Sequence, residues 1–422
     1  MNLLLKNATL LESQNPFHKQ QVDIEITNGI ISKIGKNIAL KDGFEVIEKE
    51  NLHISQGWLD TLVVFGEPGF ETTETIENGL KVAAKSGFTS VFLHSNTHPA
   101  IDNQAVIQFI KNKAQHSISN LHIVGCLTKN SEGTDLAELF DMKNAGVVAF
   151  GDYKKSMTNA NLLKIAFQYV DNFNGILFVQ PMNKDLKGKG FVNEGEVATK
   201  LGLKGIPAMA EEIEIERNIA LLEYTNGKLH IPTITTKNSV DLIAKAQAKG
   251  LQITCGVSVN NLVLTDEELV DFNSNTKIYP PLRTETDRKA LIDGVLNNVI
   301  SVITSDHCPV NIEQKQLEYD LADYGSIGLE SAFGALQTVL PTEVIVAKFT
   351  AAKSYFNIEN NTITEGNKAE LTLFNPNQEW IFNKENILSF SKNSVMLGKK
   401  MKGKVYGIIN DSNILLNEFK IK

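Results

Sequence analysis

Polar and apolar residues alternate at both ends of this chain, whereas the middle carries short, solid apolar runs. Near the N-terminus, Val22-Asp-Ile-Glu-Ile26 and Gly29-Ile-Ile-Ser-Lys-Ile34 have the two-residue period of half-buried strands, and Asn28-Gly29 between them reads as a hairpin turn. The C-terminal part is similar, with Glu370-Leu-Thr-Leu-Phe374 and Gly403-Lys-Val-Tyr-Gly-Ile-Ile409 as strand candidates. Between these ends, Val91-Phe-Leu93, Leu121-His-Ile-Val124, Val147-Val-Ala-Phe150, Ile176-Leu-Phe-Val179, Leu229-His-Ile231, Ile253-Thr-Cys-Gly-Val257 and Val299-Ile-Ser-Val-Ile303 read as buried parallel strands. Amphipathic stretches separate them, among them Thr75 to Ser86, Asn103 to Ala114 and Ser239 to Lys249. Strand and helix alternating over roughly 300 residues predicts either a β/α barrel or a doubly wound sheet.

Length and composition narrow the function classes. A chain of 422 residues suits one barrel plus a smaller domain. A net charge of -8 argues against a general nucleic-acid or acidic-membrane binder, which would carry a basic face. Cys126, Cys255 and Cys308 are odd in number and widely spaced, so neither a disulfide framework nor a thiolate zinc site is expected, and a reducing cytoplasm is the simplest compartment. The apolar run at Leu3-Leu-Leu5 is too short for a secretion signal, and no run of about 18 apolar residues predicts a membrane span. No G-x-G-x-x-G or Walker sequence follows a strand, which leaves a nucleotide reading without a phosphate cradle.

Several ordered blocks carry a resemblance. Gly57, Asp60, Glu67, Pro68 and Gly69 match P-G-x-x-D-x-H-x-H-x-R-E-P-G; Gly87-Phe-Thr-Ser-Val91, Asn96-Thr97, Pro99 and Asp102-Asn103 match G-G-F-T-T-V…P-N-T-x-P…D-N. Asn193-Glu-Gly195, Leu201-Gly-Leu-Lys-Gly-Ile-Pro207, Ala210-Glu211 and Arg217-Asn-Ile219 follow. Pro280-Pro-Leu-Arg283 with Asp287, Ser305-Asp-His-Cys-Pro309, Gly328-Leu-Glu330 and Ala369-Glu-Leu-Thr-Leu-Phe374 complete the series. By these blocks the chain resembles dihydroorotases of the amidohydrolase superfamily over nearly its whole length. The resemblance implies a (β/α)8 barrel over residues 53–369 and a composite β-sandwich formed by residues 1–52 and 370–422.

Active members of that family are expected to hold one or two zinc ions at the barrel mouth, turn water into hydroxide and hydrolyse or close the cyclic amide of dihydroorotate, with an aspartate moving the proton. Carried onto this chain, the ligand positions are largely substituted. The two strand histidines are Leu62 and Val64, which would face one side of the strand as hydrocarbon groups and cannot donate a lone pair to zinc. The later histidine positions fall on Gln180 and Thr233. Asp152 and Asp306 are the retained candidate ligands, Asp306 also being the family's proton-transfer position. Of the groups expected to hold the substrate carboxylate, Asn96 remains while the arginine is Gly66; the asparagine before Pro280 is Tyr279, and Val259-Asn260-Asn261 replaces a P-H-H segment.

Blander readings accompany these. Asp60 is expected to be a strand-end residue satisfied by backbone amides, and His230 and His307 to be hydrogen-bonded core histidines. His94 and His98 form an i, i+4 pair, but Pro99 speaks against a helix there. Lys184-Asp-Leu-Lys-Gly-Lys-Gly190 reads as a solvated loop, and Cys308 as a small packed residue. The expectation is therefore a dihydroorotase homologue of pyrimidine biosynthesis that is catalytically silent, binds no cofactor, forms a homo-oligomer and serves a protein partner, aspartate transcarbamoylase being the first candidate. The alternative is an active dihydroorotase or other cyclic-amide hydrolase, with zinc in an altered site.

Overall fold

The computed structural model describes residues 2–269 and 271–417; residues 1, 270 and 418–422, the last five inside the expected segment 370–422, lie outside the described residues. The middle of the chain forms an 8-stranded sheet whose strands neighbour each other in chain order. They are β1 (Trp58–Val63), β2 (Phe88–Leu93), β3 (Asn120–Gly125), β4 (Ala149–Phe150), β5 (Leu177–Phe178), β6 (Leu229–Ile231), β7 (Ile253–Ser258) and β8 (Val302–Thr304). All the pairings are parallel. The last strand returns to the first: Val63 bridges His307, and the Val64 N–H donates to the His307 carbonyl at 3.0 Å. The sheet is thus closed, a (β/α)8 barrel.

The apolar runs and the strands coincide in position but differ in length. β4 is shorter than Val147-Val-Ala-Phe150 because the Val147 N–H bonds back to Met142 O at the end of the preceding helix. Likewise, Ile300 N–H bonds to Gly294 O, so β8 begins at Val302 rather than Val299. The helices start where side chains cap them. Thr75 accepts from Asn78 N ahead of Ile76–Lys85, and Asn103 accepts from Ala105 N and Val106 N ahead of Gln104–Ala114. Thr236 accepts from Ser239 N, which moves the start of Lys237–Ala248 ahead of the expected Ser239.

Both chain ends meet in a second, mixed sheet, the β-sandwich domain. Its order runs Asn413–Leu416, Lys400–Asn410, Glu370–Ile381, His53–Gln56, Asn2–Leu10, Gln21–Thr27, Ile30–Gly35, with Glu45–Ile47 also pairing Asn2–Leu10. His53–Gln56 therefore sits in the sheet although it follows residue 52. The hairpin turn at Asn28-Gly29 takes positive φ at both residues, 51° and 79°. A Cβ on Gly29 would come within 2.7 Å of the Asp411 backbone, so the position needs glycine for space as well as for φ. Leu3, Leu5, Ile24, Ile54, Leu371 and Ile409 belong to this sheet's own core, separate from the barrel's.

The two domains are stitched at the barrel floor. Trp58, fully buried, packs against Phe88, Phe333, Phe349 and Phe374 at ring-centroid distances of 5.9, 5.0, 5.2 and 5.4 Å. Beside it Lys353, on helix Thr342–Tyr355, reaches Glu370 Oε1 at 2.6 Å. No helix among the described residues is long and apolar enough to cross a membrane.

Candidate functional site

Parallel barrels collect their functional side chains at the C-terminal ends of the strands, where the following loops converge. Here that end holds Leu62, His94, Gly151, Asp152, Tyr153, Lys154, Phe178, Gln180 and Pro232, which enclose a cavity of about 10 Å³. Such a volume has room for about one water molecule, whereas small-molecule sites usually offer several hundred Å³. Among these residues Leu62 lines the cavity with hydrocarbon; Val64, one residue past β1, is fully buried.

The retained carboxylates are already engaged. Asp152 turns towards the loop after β3: its Oδ1 accepts from Leu127 N at 3.0 Å and Thr128 N at 3.1 Å, and its Oδ2 accepts from Thr128 Oγ1 at 2.6 Å. Burial nevertheless pushes its carboxyl above the ordinary range. Asp60 is spent on closing the barrel, accepting from Leu62 N at 3.0 Å, Ser305 N at 2.9 Å and the Thr304 hydroxyl. This is the backbone-satisfied strand-end role that its position suggests.

Asp306 is paired with a residue that sequence reasoning did not single out. The Lys154 ammonium lies 2.8 Å from Oδ1 and 2.9 Å from Oδ2 of Asp306, with the two side chains 12% and 4% exposed. Both residues adopt left-handed backbone, φ 51° at Lys154 and 50° at Asp306. That region is uncommon for residues other than glycine and is costly unless the surroundings enforce it. Burial pushes the Asp306 carboxyl up, and the ammonium beside it pulls the other way. Nothing in the segment Asp152-Tyr-Lys154 marks the lysine from sequence except that it follows a strand-end carboxylate by two residues.

The other predicted positions fall as follows. Gln180 is buried, its backbone carbonyl accepts from Ser156 Oγ at 3.0 Å, and its Nε2 has no hydrogen-bond partner among the described residues. Thr233 is fully buried, and its hydroxyl has no hydrogen-bond partner among the described residues. Asn96 is exposed on the loop after β2 and stands outside the cavity wall. His94 is buried at the cavity, its Nε2 bonded to the Thr61 carbonyl at 2.9 Å, and burial holds it down to about 4. His98 is exposed, so the i, i+4 pair is split between interior and solvent. His230 bonds Thr254 Oγ1 through Nδ1 at 2.8 Å and packs on Phe178 and Phe356; burial lowers it to about 3. His307 uses Nδ1 to accept from Gly328 N and Leu329 N at 3.2 and 3.4 Å and is likewise brought to about 3 by burial. Both are neutral core histidines.

The expected carboxylate clamp is reshaped as well. Gly66 has φ 83°, and a Cβ there would lie 2.4 Å from Thr73 Oγ1, so this backbone leaves no room for the family's arginine. Tyr279 is buried against Tyr324 at 5.4 Å between ring centroids. The segment expected to be a solvated lysine loop contains a short helix, Lys184–Lys187, and sends the Lys187 ammonium over the rings of Tyr279 and Tyr324 at 5.8 and 5.9 Å. Asn260 and Asn261 are buried, with Asn261 donating to Pro281 O at 3.0 Å. Cys308 is buried and burial raises its thiol, which leaves it a packed group rather than a nucleophile.

With this geometry in view the relatives can be placed. A dihydroorotase from Thermoanaerobacter sp. (strain X514) is 36% identical, covering 100% of this chain and 98% of the relative. One from Pelotomaculum thermopropionicum is 35% identical with 100% of both chains covered. The chain belongs to the dihydroorotase family. The model of the family described as Dihydro-orotase-like matches residues 53–239. Among solved structures, an L-hydantoinase (dihydropyrimidinase) from Arthrobacter aurescens has a TM-score of 0.87 at 19% identity, over 100% of this chain and 97% of that one. A D-hydantoinase (dihydropyrimidinase) from a Thermus species has a TM-score of 0.81 at 19% identity, over 98% and 97%. Those two likenesses are of fold.

Membership in the dihydroorotase family raises the question of zinc, and the residues present do not fit it. The positions that the resemblance assigns to nitrogen ligands hold Leu62, Val64, Gln180 and Thr233. Among the described residues no group of three or more His, Cys, Asp or Glu side chains is placed to share an ion. Two carboxylates, one bonded to backbone amides and one to a lysine, are a poor zinc donor set.

Proposed function

We propose that this member of the dihydroorotase family serves pyrimidine biosynthesis as a non-hydrolytic scaffold that binds a protein partner, with aspartate transcarbamoylase the first to test. One observation carries the reading: where an active mouth needs imidazoles around a metal-bound water, this one places Leu62, Val64, Gln180 and Thr233, and Asp306 is bound by Lys154. Without a means of generating hydroxide near neutral pH, a cyclic amide has no nucleophile to meet. The cavity of about 10 Å³ supports the same reading, being far smaller than the usual small-molecule site. Three free, buried cysteines support a reducing cytoplasmic setting, and the scaffold is proposed to work as a homo-oligomer.

A second reading has a specific observation in its favour. The relatives that match this chain along its full length carry the name dihydroorotase, which supports an active enzyme of that type with an altered site and offers no support for a scaffold. The two readings part in one experiment. Purified chain is mixed with aspartate transcarbamoylase from the same cell and passed over a sizing column, and dihydroorotate hydrolysis is assayed with and without zinc. Co-elution without turnover is the expected result; turnover by the chain alone, with separate elution, would establish the second reading instead.

A further inference from the structure

The poor fit to zinc leaves an electrostatic question at the mouth: what compensates a carboxylate buried to 4% exposure at the place where the family would put a metal dication? An uncompensated buried charge is among the costliest defects a fold can contain. We infer that Lys154 is the resident cation of this mouth, its ammonium taking over the structural part of a metal ion's role by binding Asp306 and fixing the loops after β4 and β8 against each other.

Three independent features support this. The ammonium donates to Oδ2 at 2.9 Å and lies 2.8 Å from Oδ1, which it meets as an ion pair, so both carboxylate oxygens are close to the charge. Both partners hold left-handed φ on separate loops, a backbone cost that persists only where something over-determines the geometry. The adjoining cavity is too small for a hydrated ion, so the lysine fills the space as well as the charge. A neighbouring arrangement follows the same plan: the Lys277 ammonium lies over Phe191, Tyr319 and Tyr324 at 4.9, 5.9 and 5.2 Å, filling an aromatic box with the chain's own cation.

This inference rests on the non-hydrolytic reading of the mouth. Its test is thermal unfolding of full-length wild type, Lys154→Met, Asp306→Asn and the double variant, each with zinc chloride or with EDTA, together with metal content by elemental analysis. Wild type is expected to melt at the same temperature in zinc and in EDTA. Lys154→Met is expected to melt roughly 5 °C lower, and the double variant to regain more than half of that loss, because removing both charges leaves nothing uncompensated. If Lys154→Met does not fold, the double variant against Asp306→Asn supplies the comparison, and recovery of folding in the double variant supports the inference. Equal melting of wild type and Lys154→Met, or a double variant no better than Lys154→Met, would overturn it, as would stoichiometric zinc in wild type. Dihydroorotate turnover by metal-free wild type with the coupling intact would overturn the non-hydrolytic reading while leaving the Lys154 assignment in place.

Discussion

Two buried lysine–carboxylate pairs stand at opposite ends of the barrel, and they are built differently. At the floor, Lys353 is fully buried and Glu370 nearly so; Glu370 also accepts from Thr89 Oγ1 at 2.6 Å and from Asn361 Nδ2 at 3.3 Å. Its members stand on a helix and a strand, and the pair joins barrel to β-sandwich. At the mouth, Asp306 accepts only from Lys154 among the described residues, and both members sit on loops with positive φ. The floor pair is a stability device embedded in regular structure. The mouth pair stands on loops in left-handed backbone, and strained backbone of this kind is typical of functional sites.

The contrast can be broken most directly at the floor. Lys353→Met leaves Glu370 buried with only neutral partners and is expected to cost about 4 kcal/mol in chemical denaturation. That loss should exceed the loss from Lys154→Met; an equal loss would mean the two pairs are energetically alike, and a smaller one that the mouth pair contributes more. Restoring the strand histidines comes next. The double variant Leu62→His, Val64→His introduces two polar rings into buried positions and should lose roughly 3 kcal/mol of stability. It should still show no zinc-dependent hydrolysis of dihydroorotate, because Gln180, Thr233 and Gly66 stay as they are; such turnover would refute the account of the mouth. Gly66→Arg restores the family's arginine at φ 83° against Thr73, and a loss of about 2 kcal/mol without detectable dihydroorotate binding by calorimetry is expected.

The last effect concerns pH. Burial raises the Glu330 carboxyl from 4.5 to about 7, against hydrogen bonds from Leu388 N and Ser389 N, so the folded protein holds this proton more tightly than the unfolded chain. Its contribution to stability is fully present below about pH 4.5 and is lost as pH rises to about 7. Urea midpoints of wild type should therefore decline across that window relative to Glu330→Gln, and parallel profiles for the two proteins would show that the shift is not there.

The fold was largely legible because its signals are local. Period-two alternation located Gln21–Thr27 and Ile30–Gly35, the apolar runs located β2 to β8, and Thr75 and Asn103 marked helix starts. The pairing of His53–Gln56 with Glu370–Ile381 was not legible, since partners more than 300 residues apart leave no periodic trace. At the site, aligned motifs pointed to what is missing at Leu62, Val64, Gln180 and Thr233. They could not point to Lys154, because its role comes from a loop bringing it to Asp306, 152 residues further on. Nor could they show that Asp152 faces Thr128 or that Asn96 lies outside the cavity wall, both of which depend on loop conformation.

The most direct test of the central claim is metal content and dihydroorotate hydrolysis measured on one sample of wild-type protein purified without chelators, with and without added zinc. A folded protein carrying well under one zinc per chain and showing no turnover in either condition is the predicted result. Stoichiometric zinc with turnover that EDTA abolishes would contradict it and make the chain an active dihydroorotase.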